Sequence, residues 1–210
     1  MSKLKITYIL ILICIAVFAL EVFGNAEIIM NDFGFSTNSL LTKPWTLITS
    51  IFLHGGLAHL LSNIIILFFV GLAVEDELGK RQMLLIFFLG AFAGDLLSTI
   101  FYAPDVISIG ASAGIFAVLG VGMIVRPLDI SVSTTLMPLP LFLLGLMYTA
   151  YNILGFLTGT DSNISYIAHF GGLIIGLLFG IKYRGWKRFT ILMILLIVIL
   201  LLIPVILSIL

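Results

Sequence analysis

Apolar runs of about membrane-crossing length follow one another through this chain with barely enough polar sequence between them to turn the backbone round. A hydrocarbon core about 30 Å thick takes roughly 20 helical residues to cross. Inside it, every backbone N–H and C=O must be bonded within the protein, which leaves helices or a closed barrel. Continuous runs of this length are helical. We place seven, near residues 6–23, 50–74, 82–102, 112–125, 139–157, 166–182 and 189–209. The 210 residues are 61% hydrophobic and 10% charged, with a mean hydropathy of +1.30, outside the range of soluble domains. The expectation is an all-α polytopic membrane protein, an integral multi-pass protein whose main surroundings are the lipid bilayer.

Charge and cysteine usage remove several function classes. Acidic and basic residues balance at ten each, so there is no basic face for nucleic acid. Cys14 stands alone, which forbids a disulfide within the chain, and no CxxC or Cys/His cluster offers a metal site. No cofactor is expected either. The first run has no clear small-x-small cleavage site after it and reads as a retained span rather than a signal peptide.

Orientation follows from the basic residues of the short loops, which collect on the cytoplasmic side. With the N-terminus inside, Lys3, Lys5, Lys80, Arg81, Arg126, Lys182, Arg184, Lys187 and Arg188 are cytoplasmic and only Lys43 is outside. Seven spans then leave the C-terminus outside, in what we expect to be the cell membrane. The outer segments are 24–49, 103–111 and 158–165. In the first, Phe33, Phe35 and Trp45 are expected at the interface.

Depth can be measured upward from the cytoplasmic charge that ends each helix. At about 1.5 Å per residue, Asn63 stands about 18 Å above Glu75, His59 about 24 Å, Ser112 about 21 Å above Arg126 and His169 about 20 Å above Lys182. The four share one layer. Asp95 reaches the same layer, about 21 Å above Arg81; it is left as an interhelical hydrogen-bonding group, a cavity-facing group or a third partner for His169. The run that opens at Ser112 is too short to cross alone, so a loop must dip into the protein to feed it, a backbone tolerated only where protein or water surrounds it.

A serine in the first turn of a helix has free N–H groups beside it and the positive end of the dipole behind it, both suited to an oxyanion. Serine beside histidine is a nucleophile and base pairing. Gly172, Gly176 and Gly180 in the sixth run, against Gly110, Gly114, Ala117 and Gly120 around the fourth, permit close helix approach. Phe116 lies one turn below Ser112, where a ring could pack under the imidazole. His59 and Asn63, four apart, share a helix face and could both donate into one spot. His54 reads as a brace at the start of the second span, about 140° round the helix from His59. Glu75, Asp76 and Glu77 beside Lys80 and Arg81 read as a solvated, locally paired loop.

These residues carry a resemblance. Gly110-Ala111-Ser112 opening the fourth span, His169 with Gly172 in the sixth, His59 with Asn63 in the second, and Gly71, Glu75 and Gly79 at its inner end are similar to the motifs of the rhomboid intramembrane serine proteases. The resemblance implies a rhomboid-like six-transmembrane-helix bundle, residues 1–185, plus a seventh C-terminal transmembrane helix, residues 186–210. It implies Ser112 as nucleophile, His169 as base, and the Ser112 N–H, His59 and Asn63 as oxyanion hole. Gly110, Gly114, Phe116, Gly172 and His54 would support them. The implied partners are transmembrane segments of substrate membrane proteins. Where the family often has Gly after the serine, Tyr beneath the histidine and Trp-Arg in the first outer loop, this chain has Ala113, Phe116 and Trp45-Thr46.

Blander readings stand beside this one. A serine among Gly and Ala is most often a packing residue, and Asn63 could be interhelical glue. A transporter or channel could use His59, Asn63, Asp95 and His169 as a polar path, although no matching pair of broken helices is visible. A catalytically inactive rhomboid-like protein that binds transmembrane segments is the third reading; such relatives lack the serine or the histidine. A zinc protease is disfavoured without HExxH.

Overall fold

The computed structural model describes residues 4–128, 139–159 and 165–207. Ten α-helices follow one another among them: α1 (Ile6–Phe23), α2 (Ala26–Phe33), α3 (Ser39–Thr42), α4 (Thr46–Thr49), α5 (Leu57–Ile66), α6 (Leu72–Leu78), α7 (Lys80–Phe101), α8 (Ser112–Val125), α9 (Leu141–Thr158) and α10 (Tyr166–Leu207). No strand is present among the described residues; Phe35 and Ser108 form an isolated antiparallel bridge. A π-helical stretch, Leu67–Gly71, joins α5 to α6 into one rod, Leu57–Leu78. Among the described residues, five helices are long and apolar enough to cross a membrane: α1, this rod, α7, α9 and α10 through Ile194.

The expected helical bundle is thus present, with α8 as its short sixth apolar helix. The last two expected runs lie in one element. Within α10, Gly185 adopts φ 78 and ψ 160, which breaks the helical path and separates two helices. The second run differs at its start: residues 50–52 form a 3₁₀ turn, and α5 begins only at Leu57, after Gly55-Gly56. His54 is therefore off the helix, and the 140° separation from His59 does not apply.

The core is built around α8. Every residue from Ala113 to Val125 is buried, as befits a helix apolar on all sides. At about 1.5 Å per residue its fourteen residues span about 21 Å, short of a bilayer core. α10, α7 and α9 pack around it, with the π-helical stretch and α6 on the remaining side.

The acidic group at the end of α6 is not a solvated loop. Glu75, 4% exposed, accepts hydrogen bonds from the Ile6 N–H (2.9 Å), the Thr7 N–H (2.9 Å) and the Thr7 hydroxyl (2.8 Å). It caps the first turn of α1, whose Lys5 cap position supplies no side-chain acceptor. Asp76 pairs with Lys5, Lys80 donates to the Leu4 carbonyl, and Glu77 pairs with both Arg126 (3.4 Å) and Arg184. The nearest cations in sequence are Lys80 and Arg81, which suggests local pairing, but the chain folds back so that three other elements reach the carboxylates.

The segment between α1 and α5 is similarly tied. Phe35 is 1% exposed and exchanges both backbone hydrogen bonds with Ser108, so it is a core residue and not an interfacial one. Phe33 and Trp45 do remain exposed. The Trp45 indole donates to the Asp32 carbonyl, and Thr46, fully buried, donates to the Lys43 carbonyl and lies 2.9 Å from the Ser39 hydroxyl.

Candidate active site

The turn that delivers Ser112 is fixed from both sides. The Phe35–Ser108 bridge and the Asn38 N–H bond to the Pro104 carbonyl strap the preceding loop to the first segment, and the Gly110 N–H donates to the Ser50 carbonyl (2.9 Å). Gly110 has φ +111, a conformation that side chains disfavour, and it turns the chain into α8. Ala111 then caps the helix, and Ser112 is its first residue.

Three side chains converge there. His169 of α10 places Nε2 2.8 Å from the Ser112 Oγ. Phe116 stacks on the imidazole, with centroids 4.4 Å apart and planes 10° from parallel, as its position one turn below Ser112 implied. The third was not anticipated. Asn152 of α9 puts Oδ1 2.7 Å from the His169 Nδ1, while its Nδ2 donates to the Tyr166 carbonyl (3.0 Å). It lay in an apolar run with no motif partner. The only signal the sequence offered is an asparagine deep inside an apolar run, because the inner end of that run carries no charge from which a depth could be measured.

Asp95 does not take the third place. It is buried in α7 with its carboxyl beside the Ser108 hydroxyl, a bond between helix and loop. That partner lies in the loop ahead of α8, so the pairing is not the bond between helices left open for Asp95.

The small residues let these helices meet. A Cβ on Gly172 would collide with the Ala113 carbonyl, and one on Gly114 would lie 2.8 Å from the Phe87 carbonyl. The methyl of Ala113 occupies space left by Gly94 of α7, where a Cβ would come within 2.6 Å of it.

His59 borders the same turn. Its Nε2 would lie 2.7 Å from a Cβ on Gly110, so the imidazole packs directly on the glycine ahead of the serine. Asn63 is buried below it, and its Nδ2 donates to the His59 carbonyl of its own helix (2.8 Å). His54 packs edge-on against His59 at 5.1 Å between centroids. Its N–H donates to Glu21 (2.9 Å) and its Nδ1 lies 3.0 Å from the Phe52 carbonyl, so it braces the approach to α5 from the loop. Among the described residues, no three His, Cys, Asp or Glu side chains gather as metal ligands would.

The arrangement is suited to acyl transfer. A hydroxyl is in contact with an imidazole nitrogen, the base has a second partner, and helix-terminal N–H groups stand beside the nucleophile.

Comparison with known proteins points the same way. The Rhomboid domain family model matches residues 41–186. The rhomboid protease GluP of Bacillus subtilis (strain 168) is 36% identical over 181 residues, 83% of this chain and 34% of that protein. RHOMBOID-like protein 4 of Arabidopsis thaliana is 33% identical over 152 residues, 69% of this chain and 36% of its own length. The chain thus spans only about a third of the length of these two relatives. With the family model covering more than half of its residues and several apolar helices around a short central one, this integral multi-pass membrane protein belongs to the rhomboid family.

Proposed function

We propose that the chain is an intramembrane serine endopeptidase that cleaves substrate membrane proteins in or near their transmembrane segments, using Ser112 and His169. The observation that carries this reading is the 2.8 Å contact between Ser112 Oγ and His169 Nε2 at the start of a buried helix. The Ser112 hydroxyl attacks the scissile carbonyl carbon as its proton passes to Nε2, giving a tetrahedral oxyanion. The Ser112 N–H, His59 and Asn63 receive that charge in our assignment. Collapse breaks the C–N bond, and His169 returns the proton to the leaving amine. Water then attacks the acyl ester with His169 again as base, releasing the acid and restoring the serine hydroxyl. Residues 1–185 form the catalytic core and 186–210 the added helix. The protein resides in the cell membrane with its N-terminus cytoplasmic.

A fluorophosphonate probe tests the reading, because it labels only an activated serine. The purified protein is expected to be labelled, and Ser112→Ala to abolish both labelling and cleavage with little change in melting temperature, the change being one small side chain for a smaller one. Labelling that persists in Ser112→Ala would remove Ser112 as nucleophile.

A further inference from the structure

Asn152 is 1% exposed, and its amide makes two bonds of fixed polarity. Nδ2 lies 3.0 Å from the Tyr166 carbonyl. A carbonyl oxygen can only accept, so the NH₂ end of the amide is the one that faces it. Oδ1 is therefore turned to His169, at 2.7 Å from Nδ1. An acceptor at that distance requires the proton on Nδ1. Because neutral imidazole carries one N–H, the Nε2 lone pair is left facing Ser112 at 2.8 Å.

We propose that Asn152 is the positioning residue of this site, selecting the Nδ1–H tautomer of His169 and aiming its Nε2 at Ser112. The proposal rests on the protease reading above. Phe116 stacks on the imidazole and so fixes its plane, but a stack supplies no acceptor and cannot choose between tautomers. Asp95, the carboxylate nearest in depth, does not hold the His169 Nδ1, which lies against Asn152 Oδ1. What remains is a neutral amide, held by the backbone of the helix that carries the histidine. It orients the base in both of its protonation states, since Nδ1 keeps its proton when Nε2 gains one. Unlike a carboxylate, it adds no countercharge.

Two measurements on the full-length protein in liposomes test this. The first is ¹⁵N NMR of the histidine imidazoles, assigned by loss of the signal in His169→Ala. Wild type is expected to show Nδ1–H at His169, and Asn152→Leu a mixture of tautomers. The second is the kinetics of fluorophosphonate inactivation. Asn152→Leu, similar in volume, is expected to lower the maximal inactivation rate at least about tenfold, part of the 10²–10⁴ that general-base catalysis supplies, with the probe's half-saturation unchanged. Asn152→Asp should recover part of the rate, because one oxygen still accepts from Nδ1 although the other loses its bond to Tyr166. An Nε2–H tautomer in wild type would overturn the proposal without any variant. So would wild-type inactivation rates in Asn152→Leu, or an Asp variant no faster than the Leu variant. A wild type that shows Nδ1–H yet resists the probe would instead count against the protease reading and support the tautomer assignment.

Discussion

Gly110 meets two separate demands, a positive φ and the ring of His59 against its open side. Alanine there would hold a residue in sparsely populated backbone space, a cost of order 1–3 kcal/mol. It would also push on His59 Nε2, from 2.7 Å. Gly110→Ala is therefore expected to lower the melting temperature and also to reduce kcat, by up to the 10²–10³ typical of losing one oxyanion donor. A calorimetric scan and turnover on one sample check this; wild-type kcat would mean that His59 and the serine turn are not coupled through this glycine. Other departures from the family's usual residues have local answers. The Ala113 methyl is housed by Gly94, and Thr46 is tied by its hydroxyl to Ser39 and Lys43. Ser112 and His169 could be read together from their common depth and from the motifs around them, and Phe116 from its place one turn below Ser112. Asn152 and Glu75 could not be read as partners, since each meets a group on another helix, and nothing within its own run names that helix.

At the scale of elements, the site depends on how closely α10 lies against α8. A Cβ on Gly176 would strike the Ala117 carbonyl, which is helix backbone and cannot swing aside. Gly176→Ala should therefore separate the helices and cost about 1–3 kcal/mol, the usual range for overpacking. His169 sits two turns earlier on α10, so the Ser112–His169 contact should lengthen as well. The expectation is a lower melting temperature together with loss of fluorophosphonate labelling in the protein that remains folded. Stability and labelling both at wild-type levels would show that α10 closes on α8 elsewhere. Small-residue spacing made this contact legible beforehand. The Gly55-Gly56 pair marked the true start of α5, yet hydropathy carried the expected span back to residue 50, because Ile51, Phe52 and Leu53 are apolar in a turn as they would be in a helix. The break at Gly185 lies among charged residues whose pattern suggests a loop, and the chain makes it with a single non-helical glycine.

At the scale of the whole molecule, the charges report which helix ends share a side. Glu75 holds the start of α1, Asp76 pairs with Lys5, Lys80 donates to Leu4, and Glu77 reaches Arg126 after α8 and Arg184 in α10. The α1 start, the α6–α7 turn, the α8 end and the Gly185 region therefore lie at one end of the bundle. Lys43 pairs with Asp32 in the segment between α1 and α5, at the other end. Basic loop residues are retained in the cytoplasm, so the crowded end should face inward. Two readings of the C-terminal run follow different paths. If the helix after Gly185 crosses the bilayer, the termini lie on opposite sides; if it lies along the surface or folds back, they share one. Its apolar sequence from Phe189 onward argues for crossing. Reporter fusions at the N-terminus, after Leu128, at Arg188 and at the C-terminus should read inside, inside, inside and outside. An inside C-terminal reporter with the other three unchanged would remove the seventh crossing while leaving the six-helix core intact. An outside reading at Leu128 would instead contradict the shared end that Arg126 and Glu77 define.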